Sequence, residues 1–273
     1  MKVLITVPSC PLLERPDFHA PLSDEVLYGA VCQLTGSPCP GWYRLRTPYR
    51  YEGYVPSGCL LPDEGAAERW EALPKRVVFR QNWCDILPRP DHQAPLLLTL
   101  PRGAVVSPLR DAGEGWTEVA LCDGRTGFVR AGVLGQYYET PAPLPEEALR
   151  RRLVDTALLY RGTPYRWGGK TPQGIDCSGL ASMVYLLNGI VIFRNARIVS
   201  GFPIHPIPLE ALRPGDLIYF TGHVAVYLGE GEYLHATGHA GSDGVAVNSL
   251  DPGDPRFRSD LSEKLLTGGS WFH

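Results

Sequence analysis

The chain has 273 residues, of which 44% are hydrophobic and 10% aromatic, enough apolar material for two or three small domains with buried cores. Charged residues make up 20%, the formal net charge is -3, and both signs are mixed along the chain. No strong field therefore attracts nucleic acid or a membrane, and we expect a small or mixed-charge partner.

The N-terminal segment, residues 1–7, has one positive charge and five apolar residues before Pro8. A secretory signal has an apolar core of roughly 7–15 residues, and a membrane span needs about 18. The chain as given is therefore expected to be cytoplasmic, or secreted if a signal has been removed. Its seven cysteines form no CxxC pair, which favours reduced thiols over a disulfide framework or a zinc site.

The first half of the chain is a duplication, in which the sequence matches itself at an offset of 74 residues. The matched positions include Cys10 with Cys84, Gly29 with Gly103, Trp42 with Trp116, and Gly53 with Gly127. Two copies of this length indicate tandem domains rather than a solenoid, whose repeats have roughly 20–50 residues. Each copy has short alternating runs between Gly and Pro turns, which predict a small antiparallel barrel. The Trp and the later Gly-aromatic-Val step resemble bacterial SH3 domains.

The domain boundaries follow from this repeat and from the proline content. We expect an SH3-like domain over residues 1–63, a helical connector over 64–76 and a second SH3-like domain over 77–138. Residues 139–147 form a stiff proline linker that donates few backbone hydrogen bonds. The third domain, 148–273, opens with a helix, because apolar residues recur about one helical turn apart at Leu149, Leu153, Ala157 and Tyr160.

Cys177 is the candidate nucleophile. It stands between a glycine-rich segment and an apolar run over residues 181–187, which predicts that it lies at a helix N-terminus. Unpaired amide N–H groups and the helix dipole favour a thiolate there. The alternative is an ordinary buried cysteine, and this is our interpretation of the other six: Cys10, Cys32, Cys39, Cys59, Cys84 and Cys122.

Two histidines are predicted to lie on neighbouring antiparallel strands of one hairpin, His223 on the first and His235 on the second. A nucleophilic cysteine needs an imidazole to take its proton, and a third group to fix the tautomer of that imidazole. In a hairpin the two rings come within hydrogen-bond reach of each other. Either histidine alone is more often structural, and His205 and His239 are interpreted as structural and loop residues.

Four ordered motifs over residues 146–273 resemble the NlpC/P60 peptidase family. They are Tyr165-x-Trp167-Gly168-Gly169, Asp176-Cys177-Ser178-Gly179, Arg213-Pro214-Gly215-Asp216-Leu217, and His223-Val224 with His235-Ala236. The resemblance implies an α+β fold, in which a papain-like NlpC/P60 catalytic domain is preceded by two small SH3-like β-barrels.

The same resemblance implies roles for the residues of these motifs. Cys177 attacks an amide carbonyl, His223 serves as general base and then acid, and His235 orients His223. Tyr165 donates its hydroxyl to the tetrahedral intermediate, a type of contact that mutagenesis elsewhere values at roughly 3–4 kcal/mol. Asp176 and Ser178 match positions that line the substrate cleft.

Among family members with SH3 domains, the chain resembles the γ-D-glutamyl-L-diamino acid endopeptidases of the YkfC type, and this resemblance suggests the substrate. These cut murein peptides that have a free N-terminal L-Ala. By this resemblance Tyr51 and Asp24 hold the substrate amine, and at the same offset of 74 they become Arg125 and Leu98. The alternative for Tyr51 is a surface aromatic of a barrel strand.

One motif departs from the group, which carries Arg-Asp-Ser where this chain has Arg194-Asn195-Ala196. Asn195 can accept a hydrogen bond from an ammonium but brings no charge. We therefore expect either lower affinity for the amine or a different group at that end of the substrate.

The sequence thus predicts a cysteine endopeptidase that hydrolyses the γ-D-Glu–diamino acid bond of murein peptides in peptidoglycan turnover or recycling. We expect it to act as a monomer, with no metal or organic cofactor and no nucleic-acid or membrane partner. Two alternatives stay open: a catalytically inactive or weak peptidoglycan-binding module, and an amidase or acyltransferase on the same scaffold.

Overall fold

A computed structural model describes residues 1–273 and divides them into two units, Met1–Tyr137 and Tyr138–His273. The first copy of the repeat forms one antiparallel sheet in the order β3-β2-β6-β5-β4-β1-β7. Its strands are β1 (Lys2–Ile5), β2 (Ser9–Leu13), β3 (Leu22–Leu27), β4 (Val31–Cys39), β5 (Trp42–Arg46), β6 (Glu52–Pro56) and β7 (Leu60–Leu61).

Helix α1 (Glu64–Ala72) connects the first copy to the second. The carboxylate of Asp63 caps it by accepting a hydrogen bond from the Ala66 amide at 2.9 Å. The second copy forms two sheets, β10-β9 and β13-β12-β11-β8-β14. Its strands are β8 (Arg76–Val78), β9 (Trp83–Ile86), β10 (Leu98–Pro101), β11 (Val105–Gly113), β12 (Trp116–Ala120), β13 (Thr126–Arg130) and β14 (Leu134–Gln136).

Each copy has a cluster of buried apolar side chains, and the cluster of the second copy extends into the first. It includes Leu4 and Tyr28 of the first copy and Trp70 of helix α1. The Trp70 indole N–H donates to the Gly29 carbonyl at 2.8 Å, which fixes the helix against the turn after β3. The two copies therefore pack as one unit.

Both copies of the repeat have glycine at the same position, Gly53 and Gly127, and close packing explains why. A Cβ atom built on Gly53 would lie 2.6 Å from Leu12 Cγ, and one on Gly127 would lie even closer to Ile86 Cγ2. Leu12 and Ile86 are themselves at matched positions and are fully buried. Each copy thus requires a residue without a Cβ at this point, because the facing side chain cannot move away.

Alanine at Gly53 or Gly127 is expected to destabilise the first unit by about 1–3 kcal/mol, the usual cost of overpacking a core. The matched controls are Gly58→Ala and Gly132→Ala, which are also related by the repeat and have no atom within 4 Å of an added Cβ. Calorimetric unfolding of the four variants measures the difference. Equal losses of stability at all four positions would contradict the steric explanation.

The second unit contains one six-stranded antiparallel sheet, in the order β17-β22-β18-β19-β20-β21, and a small pair, β15-β16. Helix α3 packs against β19 and β20, and α2 packs against α3. None of the helices is long and apolar enough to cross a membrane. The elements are α2 (Glu146–Leu158), β15 (Lys170–Thr171), β16 (Gly174–Ile175), α3 (Cys177–Leu186), β17 (His205–Ile207), β18 (Leu217–Phe220), β19 (His223–Gly229), β20 (Glu232–Thr237), β21 (Gly244–Ser249), α4 (Ser259–Ser262) and β22 (Leu265–Ser270).

The Arg213-Pro214-Gly215-Asp216 motif is the turn that leads into β18 and ties it to helix α2. Asp216 accepts from the Arg213 amide at 2.8 Å and from the Arg150 guanidinium at 3.0 Å. Arg150 also donates to the Pro214 carbonyl at 3.1 Å. The motif therefore stabilises the scaffold on which the site is built.

Candidate active site

Cys177 is the first residue of helix α3, as the sequence predicts, and its side chain is buried. Asp176 is the N-cap residue, and its carboxylate accepts from the Gly179 amide at 2.6 Å. The backbone N–H groups of Val224 and Ser178 are near enough to the sulfur to lower the pKa of Cys177. Since Val224 directly follows His223, the sulfur lies against the start of the strand that carries the predicted base.

Burial opposes the thiolate that the helix N-terminus favours. Burial, with a smaller contribution from the charge of Asp176, raises the pKa of Cys177 to about 11. The two amide N–H groups lower it, but by less. Burial also lowers the pKa of His223 to about 3 and that of His235 to about 4. Burial therefore favours the neutral thiol and the neutral imidazoles in the resting site.

The strand register brings the two histidines to one face of the sheet. Val226 lies opposite Leu234 and Tyr227 opposite Tyr233, so His223 and His235 are diagonal neighbours on β19 and β20. Their ring nitrogens, Nε2 of His223 and Nδ1 of His235, are 2.7 Å apart. This contact is the hydrogen bond that the hairpin predicts.

One polar partner of this pair, Asn248, escaped the sequence reasoning. Asn248 Oδ1 lies 2.8 Å from His235 Nε2, and Asn248 Nδ2 donates to the Arg256 carbonyl at 2.6 Å. Asn248 is buried on β21, where it lies opposite Tyr233. The only signal in the sequence is a polar residue near the end of a mostly apolar strand, because its nearness to His235 depends on the register between β20 and β21.

Asp176 and Ser178 flank the nucleophile, and their side chains form a buried network with Arg194; that they line the substrate cleft stays a prediction. The guanidinium of Arg194 donates to Asp176 Oδ1 at 3.2 Å and to Ser178 Oγ at 2.7 Å. Asp176 Oδ2 also accepts from the Gly168 amide at 2.8 Å. Arg194, which the sequence interpretation treated only as part of a motif, thus holds together the glycine-rich segment and the start of helix α3.

Tyr165 lies beside the nucleophile because its segment is hydrogen bonded to the residues just before Cys177. The Arg166 amide donates to the Ile175 carbonyl at 3.2 Å, and the Ile175 amide donates to the Pro164 carbonyl at 3.0 Å. Burial, with smaller contributions from Cys177 and Asp176, raises the pKa of Tyr165 to about 12. The phenol therefore stays protonated at neutral pH and is able to donate a hydrogen bond.

Of the three residues predicted to bind the substrate amine, Asn195 belongs to the second unit, and Asp24 and Tyr51 belong to the first. Asn195 is exposed and directly follows the buried Arg194. Asp24 is fully buried within the first unit, where it accepts from the Tyr49 hydroxyl at 2.6 Å. Tyr51 packs against the apolar cluster of the first copy. Their role toward an amine stays a prediction.

Comparison with known proteins adds independent findings. A model of the NlpC/P60 family matches residues 162–254, which include all four predicted catalytic residues. The chain is 42% identical over 275 residues to a dipeptidyl-peptidase 6 from Lysinibacillus sphaericus, with 100% of both chains covered. It is 32% identical over 126 residues to a gamma-D-glutamyl-L-lysine dipeptidyl-peptidase from Bacillus cereus, covering 43% of this chain and 37% of that protein.

Among solved structures, the crystal structure of an NlpC/P60 family protein from Bacillus cereus matches with a TM-score of 0.80 and 20% identity. The match covers 98% of each chain, so it includes both units. This similarity concerns the fold, and it confirms the predicted α+β architecture.

Proposed function

This chain belongs to the NlpC/P60 family and is a cysteine peptidase, and from that premise we propose that it cleaves murein peptides between γ-D-Glu and the diamino acid. The proposed substrate has a free N-terminal L-Ala, and the released product is L-Ala-γ-D-Glu. We place this reaction in peptidoglycan turnover or recycling.

The observation that carries the proposal is the combination of a nucleophile at a helix N-terminus with a hydrogen-bonded histidine pair, in a chain similar throughout its length to a dipeptidyl peptidase. A dipeptidyl peptidase releases two residues from a free N-terminus. L-Ala-γ-D-Glu is such a dipeptide, and the Bacillus cereus relative is named for the γ-D-glutamyl bond.

In the proposed mechanism the Cys177 sulfur attacks the γ-carbonyl carbon while its proton passes to His223. The negative oxygen of the tetrahedral intermediate accepts from the Cys177 backbone N–H, which has no partner within the helix, and from the Tyr165 hydroxyl. His223 then returns the proton to the departing amine. Water, activated by His223, hydrolyses the thioester and frees the enzyme.

The substrate assignment is tested with L-Ala-γ-D-Glu-meso-diaminopimelate and the same peptide acetylated at its N-terminus. We expect release of L-Ala-γ-D-Glu from the free peptide, and a kcat/KM about 100-fold lower for the acetylated one, because a site that binds an ammonium leaves polar groups unpaired when the charge is absent. Mass spectrometry of the products measures both rates.

A matched variant, Asn195→Asp, examines the amine end of the site. An added carboxylate near the ammonium is expected to lower KM for the free peptide and to leave the acetylated peptide unchanged. Equal cleavage of both peptides by the unmodified protein would refute the free-amine requirement. Binding to sacculi without cleavage would favour a binding module, and transfer to an added amine would favour an acyltransferase.

A further inference from the structure

A row of hydrogen bonds continues from the histidine pair to the turn after strand β21. It runs from His223 to His235 at 2.7 Å, from His235 to Asn248 at 2.8 Å, and from Asn248 to the Arg256 carbonyl at 2.6 Å. The three side chains lie diagonally on one face of β19, β20 and β21, two residues out of register at each step. Because β19, β20 and β21 are neighbours in the sheet, each of these side chains contacts the next one in the row.

The donor and the acceptor of every hydrogen bond in this row follow from its last group, the Arg256 carbonyl. A backbone carbonyl only accepts, so the group of Asn248 that faces Arg256 is the NH2 group, and the amide oxygen faces His235. That oxygen also only accepts, so His235 carries its proton on Nε2. A neutral His235 then accepts at Nδ1, and His223 must donate from Nε2. The Nδ1 atom of a neutral His223 is consequently left with its lone pair.

We propose that Asn248 is a positioning residue that sets the tautomer of both imidazoles, so that His223 presents an unprotonated Nδ1 to the thiol of Cys177. Without it, His235 can adopt either tautomer, and the wrong one puts two N–H groups or two lone pairs face to face. The proposal rests on the cysteine peptidase chemistry but not on the identity of the peptide that is cleaved.

The carbonyl at the end of the row is firmly placed. It also accepts from the Ser249 amide at 3.3 Å, and the Arg256 side chain pairs with Glu232 and Asp254, each at 2.7 Å. These exposed ion pairs add little stability, but they restrict the turn from both sides. The group that fixes the tautomers is thus a backbone carbonyl, which does not titrate at any pH at which the protein is folded.

The test uses the full chain with Asn248→Leu, which has a similar size and no hydrogen bonds, and Asn248→Asp, which keeps an acceptor toward His235. Ser249→Ala is the control, because Ser249 lies on the same strand and accepts from the Asp251 amide at 3.0 Å, outside the row. Three measurements apply: imidazole ¹⁵N shifts, the rate at which iodoacetamide alkylates Cys177 across the pH range, and kcat and KM.

We expect Nε2-protonated tautomers for both histidines in the unmodified protein and in Ser249→Ala. Asn248→Leu is expected to lower kcat and the alkylation rate by about 10- to 100-fold, with KM little changed, and to give mixed tautomers. Asn248→Asp is expected to keep the tautomers and to move the acid limb of the alkylation profile to higher pH, because its charge favours the imidazolium. Other charged groups near the pair are unchanged in every variant: Arg258, Asp260 and Lys264.

An Nδ1-protonated His235 in the unmodified protein would overturn the proposal, as would Asn248→Leu with unchanged tautomers and an unchanged alkylation rate. If Asn248→Leu does not fold by circular dichroism, the spectrum of the unmodified protein and the Asn248→Asp profile decide. Alkylation of Cys177 needs no substrate. The expected alkylation results together with an uncleaved tripeptide would therefore reject the proposed substrate and support the role of Asn248.

Discussion

Replacement of Cys177 by alanine is expected to abolish peptide hydrolysis, with a loss of at least about 10³-fold in kcat, while the fold is retained. No other side chain of the site can form the thioester, and the buried position of Cys177 accepts the smaller alanine. Product mass spectrometry measures the rate, and circular dichroism checks the fold.

The matched control is Cys39→Ala, because Cys39 is also a free thiol but is partly exposed and lies on β4 of the first unit. This variant should keep its activity and should still lose it after treatment with iodoacetamide. If Cys177→Ala retained more than a tenth of the activity, or if Cys39→Ala became insensitive to the alkylator, Cys177 would not be the nucleophile.

The second large effect concerns Arg194. Its replacement by methionine is expected to destabilise the second unit by about 3–5 kcal/mol, because it leaves the Asp176 carboxylate buried without its cation. Activity should fall with it, since Asp176 caps the helix that carries Cys177. The free energy of unfolding is measured by urea denaturation, and kcat is measured where the variant is still folded.

Two further variants separate charge pairing from the loss of a long side chain. Arg197→Met, at an exposed position three residues later, is expected to change stability by no more than about 0.5 kcal/mol. The double variant Arg194→Met with Asp176→Asn is expected to recover part of the loss, because no unpaired charge is left buried. Strict additivity of the two single effects would contradict this explanation.

Much of the site could be predicted because its signals are local in the sequence. Cys177 precedes an apolar run, which indicates a helix start, and the structure begins α3 at that residue. His223 and His235 stand on either side of a short turn, which indicates a hairpin. In both cases the distance along the chain determines the distance in space.

The missing parts depend on contacts that are distant in the sequence. Arg194 reaches Asp176 across 18 residues that include helix α3 and the irregular segment after it, and no periodicity in the sequence predicts that contact. Asn248 reaches His235 only through the register of β20 with β21, which is fixed by packing of the whole sheet. Burial, which decides the pKa values of Cys177 and His223, likewise follows from the assembled fold rather than from neighbouring residues.

The number of residues in the β19–β20 hairpin determines whether His223 and His235 meet. Its turn contains Glu230 and Gly231, both with positive φ, at 52° and 78°. One inserted residue there would shift β20 by one position and send His235 to the opposite face of the sheet. Every motif would still be present in such a sequence, yet we expect the protein to have no peptidase activity. The interval of 12 residues between the two histidines is therefore as much a part of the site as the two side chains themselves.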